Sequence, residues 1–331
     1  MRKNALTLAA ALLISSAVAA QDQIRTLRLA SSIPWTVPPF QSSGQTQCDG
    51  DGNLYFDVSG TPSSRTVVMK VARDGSKYEL YSLPAPPSGV RMGFLGFSVT
   101  RSGSVRILGL SRVGSEKDAH DWATHILSYN LDAVAPSDTR LQAPEYLQAK
   151  SFAAFESGAV LVSGAFNRKA PLELQGKPYT AVFDPSGKLA AEIRADSATA
   201  PALSQRLPEG GTVSGEDGFV YLLRSDSVWV ISETGSVVRR LPFRKLTADP
   251  LATGIFVSKG LAVVVLNTHV DKGKPLKAQY LVLNASTGEM LGRYEPEPAL
   301  GNNVVCFSRD DGLTFWQVVD GKDVLAMALL R

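Results

Sequence analysis

The sequence predicts an all-β protein, a six-bladed β-propeller of four-stranded antiparallel blades. Three observations carry this. A glycine-centred hairpin signature recurs six times, at intervals of about 50 residues. A second hairpin signature follows each of the first five. The strands left over at the two ends of the chain complete one another.

The first signature opens at "TQCDGDGNLYFDVSG", residues 46–60. Its relatives are "FSVTRSGSVRILGLS" (97–111), "FAAFESGAVLVSGAF" (152–166), "TVSGEDGFVYLLRS" (212–225), "FVSKGLAVVVLN" (256–267) and "CFSRDDGLTFWQVV" (306–319). Each reads strand, polar turn, strand, and the aligned glycines are Gly52, Gly103, Gly158, Gly218, Gly260 and Gly312. The second signature includes "VVMKVARDGSKYELYSL", "YTAVFDPSGKLAAEIRA" and "SVWVISETGSVVRRLPF". Its turns carry Asp, Asn, Ser and Gly, which accept tight or left-handed backbone. Two hairpins per repeat give four strands, A to D, the content of a propeller blade.

The sixth unit ends after its third strand. An orphan strand, "IRTLRLA" at 24–30, precedes the first A strand. An N-terminal strand completing the last blade closes the ring and covers an open sheet edge. That closure makes the first and last blades neighbours. It brings Cys48 and Cys306 to adjacent inner strands as a candidate disulfide, the alternative being two buried thiols acting as small apolar fillers. Their offsets from the aligned glycines differ, four residues against six.

Residues 1–20 carry a basic start (Arg2, Lys3), an apolar run and small residues up to Ala19-Ala20. This is the plan of a secretory signal peptide. The expected domains are therefore a signal peptide at 1–20 and one propeller at 21–331, exported to the periplasm or the extracellular space. No later run is apolar enough to suggest a stable membrane span. The formal charge of +3 falls to +1 without Arg2 and Lys3. With no basic block, nucleic acid is not an expected partner.

"DGDGNLYF", "EDGFVYLL", "DDGLTFWQ" and the D/N-x-x-G turns resemble the six-bladed propellers of the NHL and TolB-like group, over most of residues 24–331. The resemblance implies the architecture. It also implies a choice between protein-binding modules and enzymes such as lactonase-like hydrolases and lyases, whose metal ligands surround the central channel. No such ligand set is matched here residue by residue.

Local chemistry points the same way. From Asp49, the first repeat places oxygens as a calcium loop does, but Leu54 stands where the loop needs glycine and Gly60 where it needs glutamate. Hairpin chemistry accounts for its Asp, Gly and Asn. No G-x-S-x-G, H-E-x-x-H or phosphate-binding loop is present. The expected function is a non-catalytic binding or scaffold protein with a protein or carbohydrate partner, no cofactor and no metal. The alternative is a metal-assisted hydrolase or lyase in the channel. The candidate ligand-binding residues lie in the longer B–C and D–A connections: Arg91, His120, Trp122, His125, Arg168, His269 and Lys272.

Overall fold

Every blade of a propeller is sandwiched between two others, so its strands must be apolar on both faces. Strand β12 (Val160–Phe166) shows how the two-residue period meets this demand. Val160 and Val162 share one core with Leu108 and Ile126. Leu161 faces the other way and packs with Val220 and Leu222. Six such cores lie between adjacent blades around the ring.

The computed structural model describes residues 23–37, 46–58, 65–114, 120–129, 136–193, 211–247, 250–268, 277–308, 312–320 and 322–330. Two short strands come first, β1 (Ile24–Leu27) and β2 (Leu29–Pro34). Blade one holds β3 (Thr46–Cys48), β4 (Leu54–Asp57), β5 (Thr66–Val71) and β6 (Tyr78–Ser82). Blade two holds β7 (Val90–Val99), β8 (Val105–Val113), β9 (His120–Tyr129) and β10 (Ser137–Arg140). In blade three β11 (Leu147–Ala154) precedes β12, and β13 (Pro178–Phe183) and β14 (Leu189–Glu192) follow. Blade four is β15 (Thr212–Ser214), β16 (Val220–Leu223), β17 (Ser227–Ile231) and β18 (Val237–Pro242). Blade five is β19 (Pro250–Ser258), β20 (Leu261–Thr268), β21 (Lys277–Asn284) and β22 (Met290–Pro296). Blade six is β23 (Val304–Phe307), β24 (Gly312–Val319) and β25 (Lys322–Leu329), completed by β2. Among the described residues no helix is long and apolar enough to cross a membrane.

The N-terminal strand closes the last blade, but 24–30 is not one strand. Leu29–Pro34 pairs antiparallel with β25. Ile24–Leu27 instead runs parallel to β22 as a fifth strand of blade five. Glu297 fixes the crossing point. Its backbone N–H donates to the Leu27 carbonyl at 3.0 Å, and its carboxylate accepts the Leu29 N–H at 2.6 Å. Residues 1–20, read as a signal peptide, lie outside the described residues.

Blade two corrects the reading of its B–C connection. "DAHDWATH" is polar, yet His120, Trp122 and His125 belong to β9, paired along β8. The strands run past the apolar core, and their ends carry polar side chains. Arg91 likewise lies in β7 and not in a connection.

Cys48 and Cys306 are joined by a disulfide across the seam of blades one and six, with Cα atoms 5.5 Å apart. Their unequal offsets have a local cause. Gly52 sits in the turn with φ 85°, a conformation that favours glycine, whereas Gly312 is the first residue of β24. Next to Cys48, the Asp49 carboxylate is spent on its own turn. One oxygen accepts the N–H groups of Asp51 and Asn53, at 3.0 and 2.9 Å. The other accepts the Asn53 amide at 2.8 Å and the Tyr55 hydroxyl at 3.0 Å. With Asp49 only 3% exposed, this stretch is a hairpin and no cation loop.

Candidate functional site

Two regions invite a ligand: the axial channel and the outer end of blades two and three.

Inner strands of neighbouring blades share no ladder, so side chains must satisfy backbone groups across each gap. Gln47 of β3 donates to the Phe97 carbonyl at 3.1 Å and accepts the Val99 N–H at 2.8 Å. Ser98 accepts the Ala154 N–H at 2.9 Å, and Thr212 donates to the Phe152 carbonyl at 2.8 Å. Much of the channel's polarity is therefore structural stitching. The A–B turns cap one end. Arg101 reaches across the ring to the Glu216 carboxylate at 2.9 Å and to the Ser258 hydroxyl at 3.3 Å. Glu216 also accepts the Lys259 N–H at 3.0 Å and the Ser258 hydroxyl at 3.1 Å. A cavity of about 200 Å³ remains, lined by residues that include Arg101, Asn267, Asn302 and Asn303 among Val213, Ile255 and Phe307. Among the described residues no Asp, Glu or His lines it. Among the described residues, no group of three or more His, Cys, Asp and Glu could hold a metal.

Partial burial pushes the Glu216 carboxyl up, but the Lys259 N–H, Arg101 and Ser258 together outweigh it and hold the group below the ordinary range. A depressed carboxylate contributes stability above its unfolded pKa and loses that contribution as pH falls through its folded one. The wild-type advantage over Glu216→Gln in urea midpoint is thus expected at neutral pH and is expected to fade below about pH 4. Parallel urea titrations of the two proteins check this.

At the outer end of blades two and three, Trp122 of β9 gathers positive charge. The Arg112 guanidinium and the Lys169 ammonium each lie 5.6 Å from its ring centroid. Arg91 stands opposite Arg112 in the β7–β8 ladder, on the same sheet face. Arg168 adjoins Lys169 in an ordered turn, where the Gln175 amide donates to the Arg168 and Ala170 carbonyls at 3.0 and 2.9 Å. Arg91, Arg168 and Lys169 are exposed. None of these four cations has a carboxylate partner among the described residues.

Of the residues singled out from the sequence, Trp122 carries the ring that Arg112 and Lys169 approach, Arg91 stands opposite Arg112 in the neighbouring strand, and Arg168 precedes Lys169 in the chain. Arg112 and Lys169 were missed, because a strand residue and a neighbouring-blade turn become adjacent only through blade packing. His125 lies elsewhere, on the blade-one side of the same strand, between Ser111 and Asp138. His120 is placed in β9, and His269 and Lys272 lie outside the described residues.

No known family's sequence profile matches the chain, and no curated protein matches it. Several solved structures share its general shape. A luciferin-regenerating enzyme is 10% identical, with 91% of this chain and 96% of that chain covered and a TM-score of 0.47. The Dos1 propeller is 11% identical, with 90% and 95% covered and a TM-score of 0.44. The WD40 domain of Neurospora crassa Pan2 is 10% identical, with 94% and 98% covered and a TM-score of 0.42.

Proposed function

We propose that this is an exported binding protein that takes an anionic protein or glycan partner on the outer face of blades two and three. The carrying observation is the approach of Arg112 and Lys169 to the Trp122 ring, with Arg91 opposite Arg112 and Arg168 next to Lys169 in the chain. Like charges with no carboxylate partner among the described residues repel one another, and an anionic partner relieves that cost. An indole flanked by cations also offers a flat apolar surface for a sugar ring or an aromatic side chain.

The axial channel supports a second reading less well, because its polar groups are largely engaged across blade gaps. Export rests on the sequence of residues 1–20.

Polygalacturonate, a carboxylated glycan, is the first probe. Binding is expected by titration calorimetry, weakening as salt rises. The double variant Arg112→Ala/Lys169→Ala is expected to bind about tenfold or more weakly, the scale of one lost contact of ~1.4 kcal/mol. An acidic protein ligand is tested in the same way. Equal affinity of the variant and wild type for every anionic probe that binds would refute the assignment.

A further inference from the structure

Blade two carries a second constellation, on the opposite sheet face, that the binding role leaves unused. Ser111 of β8, His125 of β9 and Asp138 of β10 lie diagonally across three neighbouring strands. The Ser111 Oγ is 2.8 Å from His125 Nε2, and His125 Nδ1 is 2.8 Å from Asp138 Oδ1. The register explains the diagonal. Gly109 stands opposite His125, so Ser111 is two residues along on the same face. Arg140 stands opposite His125 on the other side, so Asp138 is two residues along in its turn.

We propose that Ser111, His125 and Asp138 form a nucleophilic site for small acyl esters. Asp138 accepts the Nδ1–H of His125 and so fixes the tautomer whose Nε2 can accept the Ser111 proton. That ordering, hydroxyl to imidazole to carboxylate, makes serine a nucleophile at neutral pH.

Burial is graded along the relay. Ser111 is 8% exposed, the His125 side chain 14% and the Asp138 side chain 44%. A nucleophile covered to this extent restricts its substrate to a small acyl group such as acetyl. Beside Ser111 the β8–β9 register shifts, with an extra residue on β9 between Ala123 and His120. Such irregularities re-aim side chains and are frequent beside active sites. Arg140 stands opposite His125 on the same sheet face, across β9 from Ser111.

The step balances without any cofactor. Ser111 Oγ bonds to the ester carbonyl carbon as its proton passes to His125 Nε2. The bond from carbon to the leaving oxygen breaks, and His125 returns the proton to that alkoxide, releasing the alcohol. Water, losing a proton to the same nitrogen, attacks the acyl-serine. The acid departs, and the proton returns to Ser111 Oγ. Ser111 and His125 act on the reacting atoms, and Asp138 is a positioning residue. None of the three lines the axial cavity.

The test uses the full chain and methanesulfonyl fluoride, a small electrophile that sulfonylates activated serines with loss of fluoride. Intact mass and peptide mapping are expected to place one adduct on Ser111. Its rate should rise with pH, as expected for general-base assistance. His125→Ala is expected to slow labelling by about 100-fold or more, the scale of general-base assistance. Asp138→Asn, which keeps shape while disturbing the tautomer, should slow it too, with an unchanged circular dichroism spectrum and melting midpoint. p-Nitrophenyl acetate turnover should follow the same order and vanish in Ser111→Ala. An unlabelled Ser111 in the folded wild type, or labelling that is indifferent to His125 and to pH, would overturn the proposal.

Discussion

Replacing both Cys48 and Cys306 by alanine is expected to lower unfolding stability by about 3–5 kcal/mol. The bond joins residues 258 positions apart. A cross-link that closes so long a loop strongly restricts the unfolded chain, and alanine keeps the site apolar. The effect should also be local in the folded state. Five of the six blade interfaces join blades that follow one another in sequence. The seam alone must bring the chain's two ends together, through a core of Val37, Leu54, Phe56, Val305 and Leu325. Without the bond this interface is the first expected to open. Hydrogen exchange should therefore speed up in β3, β23 and β24 well before it does in β11 and β12. Dithiothreitol on the wild type should reproduce the double variant. Equal urea midpoints for the oxidised wild type and the variant would show that the bond contributes nothing.

The blades were legible because their signals are local. A glycine in a left-handed turn and a two-residue apolar period are both written within about 15 residues of chain. What was not legible depended on partners far away. "IRTLRLA" reads as one strand, and nothing within it announces that Leu27 belongs to the blade five edge and Leu29 to blade six. The switch is made by Glu297, 268 residues from Leu29. Blade two misled for a different reason. Its strands outrun the core, so "HDWATH", residues 120–125, has the composition of a connection and the pairing of a strand. The same extension hid both candidate sites. Trp122 and His125 stood out as residue types, but alternation sends them to opposite faces, and only the register names their companions. Ser111 and Asp138 lie 14 and 13 residues from His125. Aligning three predicted strands on Gly109 would have brought them together.

That split N-terminus makes the second large effect separable into two parts. Deleting residues 23–28 removes β1 and with it Leu27, which is 1% exposed in the core between blades five and six. The expected loss is about 2–5 kcal/mol, the range for emptying a buried leucine site, and Leu27→Ala should reproduce most of it. Deleting residues 23–34 also removes β2. The ladder from Leu29–Pro34 to Val324–Ala328 disappears, and β25 becomes an open edge with unpaired backbone groups. Ile33 is lost from the seam, although Trp35, packed edge-on against Phe56 at 5.7 Å, is kept. The longer deletion is expected to melt at a clearly lower temperature than the shorter one and to give some soluble aggregates by size exclusion, whereas the shorter one should stay monomeric. The two ring closures should also couple. With β2 gone, blade six is tied to blade one only by side-chain packing and the disulfide. Reducing the longer deletion should therefore cost more than the separate losses added together, since both changes act on one interface. If instead the longer deletion melts like the shorter, β2 does not hold the ring shut, and the seam owes its stability to the disulfide and the inner strands alone.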